Sequence, residues 1–158
     1  MKKIKNPWEH LLNEGYNCFG CSKHNPLGLK MDFYEDGDDV VSIWHPDPNY
    51  QGWLNTLHGG IQATLMDEIG AWFVSRKMQT SGVTTHLNVR YHKQVPTGLD
   101  KSLEIRAHMR ERRRNFLTLD VTLSYNGEVC TSAEVIYFCF PEKKAREEYY
   151  FSECVLEE

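Results

Sequence analysis

From Thr85 to Cys139 apolar and polar residues alternate with a period of two, broken only at turn-forming positions. Leu87, Val89 and Tyr91 share one face of a first segment, and His86, Asn88 and Arg90 the other. Leu103, Ile105, Ala107 and Met109 repeat the pattern, as do Leu117, Leu119, Val121, Leu123 and Tyr125, then Ala133, Val135, Tyr137 and Cys139. Side chains of a strand alternate between its two faces, so the spacing predicts antiparallel strands with one dry face. Asn126-Gly127 marks a hairpin between the last two. Earlier in the chain, strands are predicted over Leu29–Tyr34 and Val40–His45, joined through "EDGDD", and a short helix over Trp8–Glu14 behind Pro7.

One segment keeps a different period. From Gly60 to about Gln79, Ile61, Leu65, Ile69 and Trp72 form a bulky arc at 100° per residue, widened by Met66 and Phe73. A helix apolar around most of its circumference is buried rather than laid on a surface. Gly82 is read as the end of this region. Roughly 20 residues make about 30 Å of helix, and five or six antiparallel strands cover it best by curling around it. The expected class is therefore α+β, a curved sheet wrapped on one long buried helix. The other side of that helix is a stripe of small residues, Ala63, Thr64, Gly70, Ala71 and Val74, with the carboxylate of Asp67 at its centre.

Composition narrows the setting. At 158 residues, 41% hydrophobic and 25% charged, the chain reads as a single domain with its core over about 18–140. The net charge of −4 gives no electrostatic case for nucleic acid or an anionic membrane. No apolar run approaches the roughly 20 residues of a membrane span, and the N-terminus has no secretory h-region. Five cysteines, an odd number, then suggest reduced thiols and a cytoplasmic location. The charged tail from Pro141 is expected to be a frayed helix or disordered.

The helix start carries the candidate chemistry. "LHGGIQATLMDEIG" opens a helix with two poor helix formers, Gly59 and Gly60. The first N–H groups of a helix have no partner within it and lie at its positive end. Glycine lets a ligand approach them without a Cβ in the way, which suits a site that stabilises an oxyanion. Asp67, two turns on, is placed to act as base or nucleophile on the same carbonyl, or else to cap or pair locally. Glu68 points about 100° away and would serve only if the helix were rotated.

Those residues, with "CFGCSKHNPLGLKM", "THLNVRYHKQVPTG" and the closing "RERRRNFLTLDVTLSYNGEVCTSAEVIYF", resemble the PaaI-like hotdog thioesterases over residues 18–140. The resemblance implies a hotdog fold, hydrolysis of an acyl-CoA or acyl-carrier thioester, no cofactor, and a homodimer or dimer of dimers with the site at the subunit interface. It implies Asp67 as general base or nucleophile and the Gly59 N–H as oxyanion donor. His58 shapes the turn or sits near the thioester sulfur, Thr84 assists from the neighbouring subunit in preference to Thr85, and Gln51 orients the water or carbonyl. Gly60, Asn55, Thr64, Arg90 and Arg113 are candidates for binding substrate, the arginines, and Lys93 with them, through the phosphates of coenzyme A; the Arg110–Arg114 run reads equally as a solvated hairpin turn. A dehydratase or hydratase acting on 3-hydroxyacyl or enoyl thioesters, and an acyl-thioester-binding module without turnover, are the competing classes.

Cys18-x-x-Cys21, with His24 beyond it, has the spacing of half a zinc site, but no second half is visible in the sequence. No metal is expected, and the loop is read as packing over the acyl or nucleotide site near Phe19 and Trp53.

Overall fold

The computed structural model describes residues 1–158. Its strands are β1 (Lys2–Lys3), β2 (Tyr34–Asp36), β3 (Asp39–Trp44), β4 (Gly82–Tyr91), β5 (Leu103–Arg113), β6 (Phe116–Tyr125) and β7 (Glu128–Cys139). The helices are α1 (Gly59–Phe73), continued by a wider π turn over Val74–Met78, and α2 (Glu142–Glu148). All seven strands form one antiparallel sheet in the order β1-β2-β3-β5-β6-β7-β4. α1 packs across β3 to β7. This is the hotdog arrangement, and none of its helices is long and apolar enough to cross a membrane.

The core sits where the two periods meet. Leu65, Met66, Ile69, Trp72 and Phe73 of α1 are buried against Leu103, Ile105, Leu117, Leu119, Val121, Leu123 and Val135. Trp72 stacks on Phe33 at 4.2 Å between centroids. The Asn126-Gly127 hairpin forms with φ of 52° and 75°, the left-handed pair that matches strand twist.

Several expectations are corrected. The sheet has seven strands rather than five or six, because β1 is a two-residue element that has no periodicity to read. Leu29–Phe33 is not a strand; Leu29, Met31 and Phe33 are buried alternately, but Leu29 and Met31 donate to carbonyls of the Phe19-Gly20 loop. The predicted first helix is a 3-10 helix over Glu9–Glu14. Met109 is exposed at the point where the register of β5 against β6 shifts, although its cross-strand partner Leu119 is buried. The tail is ordered: Phe151 and Cys154 are buried, and Ile4 bridges to Leu156.

Gly82 does not end the helix. Gln79 does, in the left-handed region at φ 51°, held by its side chain, which donates to the carbonyls of Arg76 and Cys154 and accepts from the Cys154 N–H. Gly82 instead starts β4, where a Cβ would stand 2.3 Å from the Phe138 carbonyl oxygen. Gly82→Ala is therefore expected to part β4 from β7 and destabilise the chain by about 1–3 kcal/mol, the usual cost of overpacking. Urea unfolding of the two proteins measures it; an unchanged midpoint would show that the strands separate freely there.

Candidate functional site

Asp67 lies on α1, half-buried, and its surroundings come from the sheet. Thr84 Oγ1 donates to Asp67 Oδ1 at 2.7 Å. The Tyr137 hydroxyl donates to the Asp67 carbonyl oxygen at 2.5 Å and stands 3.1 Å from the same Oδ1. Burial, and then the Asp67 charge, push the Tyr137 phenol well above its ordinary value, so it stays protonated as a donor. These contacts fall on Oδ1 and leave Oδ2 without a protein partner.

The small-residue stripe explains how Tyr137 gets there. A Cβ on Gly70 would stand 2.4 Å from Tyr137 Cε2, so the ring occupies the space that glycine leaves on the helix. Thr84 is brought in by a bulge. Counting back by twos from Tyr91, whose hydroxyl touches the helix, would turn Thr85 to that side. The register shift between Thr84 and His86 turns Thr84 there instead, and Thr85 donates to the Ile136 carbonyl.

At the helix start, His58 is the N-cap. Its Nδ1 accepts from the Gly60 N–H at 2.9 Å, which leaves the neutral ring protonated on Nε2. The Gly60 N–H is thereby occupied, whereas Gly59, the first helical residue, has no intrahelical acceptor for its own N–H. Its carbonyl accepts from the Tyr91 hydroxyl at 2.7 Å. Two clefts flank His58. The larger, about 600 Å³, is lined by Trp53, His58, Gly59, Gln62, Tyr91 and Lys93 among others. The smaller, about 330 Å³, is lined by Gln51, His58, Gly60 and Thr64 with their neighbours. Gln51 Oε1 accepts from the Asn55 N–H at 2.9 Å, which holds Asn55 in the left-handed region at φ 55°. Thr64 donates back to the Gly60 carbonyl at 2.9 Å.

Some predicted groupings do not form within one chain. Gly59 and Asp67 are eight residues apart on a straight helix, about 12 Å at 1.5 Å per residue, too far to address one carbonyl. Thr84, expected against the neighbouring subunit's aspartate, binds the Asp67 of its own chain. Arg113 is paired through Phe116 and Phe138 with the level of Val83, while Arg90 pairs with Ser132. Seven strand residues, roughly 23 Å, separate those levels. Arg113 is thus remote from the helix start, exposed and beside Glu111.

Glu68 turns away from Thr84 and lies under the Cys18–Cys21 loop, with Cys18 Sγ 3.3 Å from its Oε1. Burial, and then Cys18, push its carboxyl up to about 8. The loop therefore seats on the helix rather than over the clefts, where Trp53 stands. Three contributors were not foreseen. Tyr137 and Tyr91 read as apolar-face strand residues, with nothing in a period of two to say where a hydroxyl ends. Gln62, whose amide bridges the Leu57 carbonyl and Thr131, lies in the apolar run unmarked.

Residues 54–131 match the model that describes the thioesterase superfamily. No curated protein matches the sequence. Among solved structures, a thioesterase superfamily protein superposes with a TM-score of 0.69 at 22% identity, covering 77% of this chain; this chain spans 62% of that protein's length. A Streptococcus mutans UA159 protein, solved bound to acetyl CoA, matches with a TM-score of 0.64 at 21% identity, over 71% of this chain and 90% of that one. The E. coli PaaI protein matches with a TM-score of 0.64 at 14% identity, over 72% and 82%.

Proposed function

We propose that the chain hydrolyses acyl-CoA thioesters to a free carboxylate and CoA, a reading supported by the match of residues 54–131 to the thioesterase superfamily. The observation that carries this reading is the pairing of two incomplete half-sites on α1. One is a carboxylate oriented by two hydroxyls with Oδ2 left free. The other is a glycine N–H presented at a helix start beside a cleft of about 600 Å³.

Because about 12 Å separates them along α1, the working unit in this reading is two chains. The Asp67 of one copy faces the Gly59 of the other. The sheet supports the arrangement: β4 is an edge strand ten residues long that leaves Val83, Leu87 and Tyr91 exposed, although the period of two predicts a dry face. A long apolar edge of that kind calls for a cover, and a second β4 supplies one. A fold neighbour that holds acetyl CoA gives further support for the ligand class.

The chemistry follows from the groups present. The Gly59 N–H points toward the charge that develops on the thioester oxygen as the carbonyl becomes tetrahedral. Asp67 Oδ2 takes a proton from water as its oxygen attacks the carbonyl carbon, or attacks that carbon itself and is later released by water. Either route breaks the C–S bond, and the thiolate that leaves takes up a proton to become CoA. Lys93, on the wall of the larger cleft and ion-paired with Glu128, would exchange that carboxylate for a phosphate of coenzyme A.

An acyl-CoA panel read with a thiol reagent tests the function, with one thiol and one carboxylate per turnover as the expected result. Tight acyl-CoA binding without thiol release would instead establish a binding module. Loss of the enone absorbance of crotonyl-CoA with its thioester intact would establish a hydratase.

A further inference from the structure

We propose that Cys18, Cys21 and Glu68 bind one divalent cation of zinc's class, clamping the N-terminal loop onto α1. The sequence offers two ligands and no second half. The fold supplies the third from 47 positions further on, since the two sulfurs and a Glu68 carboxylate oxygen all lie within 4.8 Å of one another. His24, the ligand that spacing alone suggests, is exposed and outside the cluster.

The surroundings are those of a metal site on three counts. First, one sulfur has an outer partner: the Tyr16 hydroxyl lies 2.9 Å from Cys21 Sγ and itself accepts from Asn6 Nδ2 at 3.0 Å, which leaves its proton for the sulfur. Such partners orient ligands and favour the thiolate. Second, the loop is anchored by its backbone, with Ser22 N–H donating to the Cys18 carbonyl at 3.0 Å and the Gly20 carbonyl accepting from Met31 at the same distance. A Cβ on Gly20 would stand 2.5 Å from Glu68 Cδ, so glycine at the centre of the Cys-x-x-Cys turn is what allows closure on the carboxylate. Third, Glu68 forms no ion pair with a lysine, arginine or histidine; its half-buried carboxylate meets Cys18 Sγ at 3.3 Å. A buried charge without a counter-charge is costly, and a dication supplies one.

Two thiolates and one carboxylate suit zinc, or cobalt in its place, and not magnesium or calcium, which take all-oxygen shells. The fourth tetrahedral position falls to a solvent oxygen on the half-exposed Cys18 side. Binding releases the thiol protons to solvent, so affinity falls in acid. This site is independent of the thioesterase reading, and its test reads metal rather than turnover.

The full chain, reduced and stripped with a chelator, is titrated with Zn²⁺ and separately with Co²⁺. One metal per chain is expected, with the near-ultraviolet thiolate-to-cobalt absorption, a higher thermal midpoint, and protection of Cys18 and Cys21 from a thiol reagent as mapped by peptide mass. Cys18→Ser and Cys21→Ser abolish the cobalt band, and Glu68→Gln weakens binding by about 10-fold or more. Protection mapping needs no variant, so the test stands even where a substitution prevents folding. A folded wild-type chain that takes up neither metal overturns the proposal, whether or not air joins the two cysteines. So does uptake that leaves Cys18 and Cys21 unprotected.

Discussion

Asp67→Asn is expected to lower thiol release from acyl-CoA by about 10²–10⁴-fold, the range that a general base contributes, while the protein remains folded. The substitution keeps what holds the helix to the sheet. An asparagine Oδ1 still accepts from Thr84 Oγ1, and the Tyr137 hydroxyl still donates to the main-chain carbonyl of residue 67. What is removed is the basic oxygen on the side that carries no protein partner. Circular dichroism and the unfolding midpoint report the fold, and kcat on the best substrate of the panel reports the chemistry. Unchanged turnover would exclude Asp67 as base and nucleophile. Glu68 would not take over the role, because its carboxylate lies under the Cys18 loop.

Gly59→Pro tests the other half-site and the two-chain arrangement together. Proline at the first helical position costs a helix little, since the N–H it lacks has no intrahelical acceptor there. The residue before it must be extended, and His58 already is, at φ −57° and ψ 134°. The substitution therefore removes one N–H donor and leaves the helix. Loss of an oxyanion donor is expected to lower kcat by about 10²–10³-fold. Mixing is the sharper experiment. Each dimer of one Gly59→Pro chain and one Asp67→Asn chain contains one site with both functional groups intact. Re-equilibrated equal amounts should recover about a quarter of wild-type activity, because half of the dimers are mixed and one of their two symmetric sites is complete. No recovery, with mixed dimers shown to form, would place both groups of a site on the same chain.

The sequence by itself determined the parts that depend on neighbours along the chain. The buried helix after "HGG", the four long strands and the Asn126-Gly127 hairpin follow from a period of 3.6, a period of two and a left-handed pair, each a local property. The stripe through Ala63, Gly70 and Ala71 was equally legible, but not its occupant. Tertiary structure decided that Tyr137 fills the gap at Gly70, and that a bulge turns Thr84 rather than Thr85 toward Asp67. It decided that Gln79, not Gly82, ends the helix, because contacts with Cys154 hold a non-glycine residue in a left-handed conformation. It also placed Glu68 between two cysteines nearly 50 residues away in sequence. Periodicity records which face of an element is buried. Which atom meets which across that face depends on register shifts and on close approaches between distant segments, and these exist only once the sheet has closed around the helix.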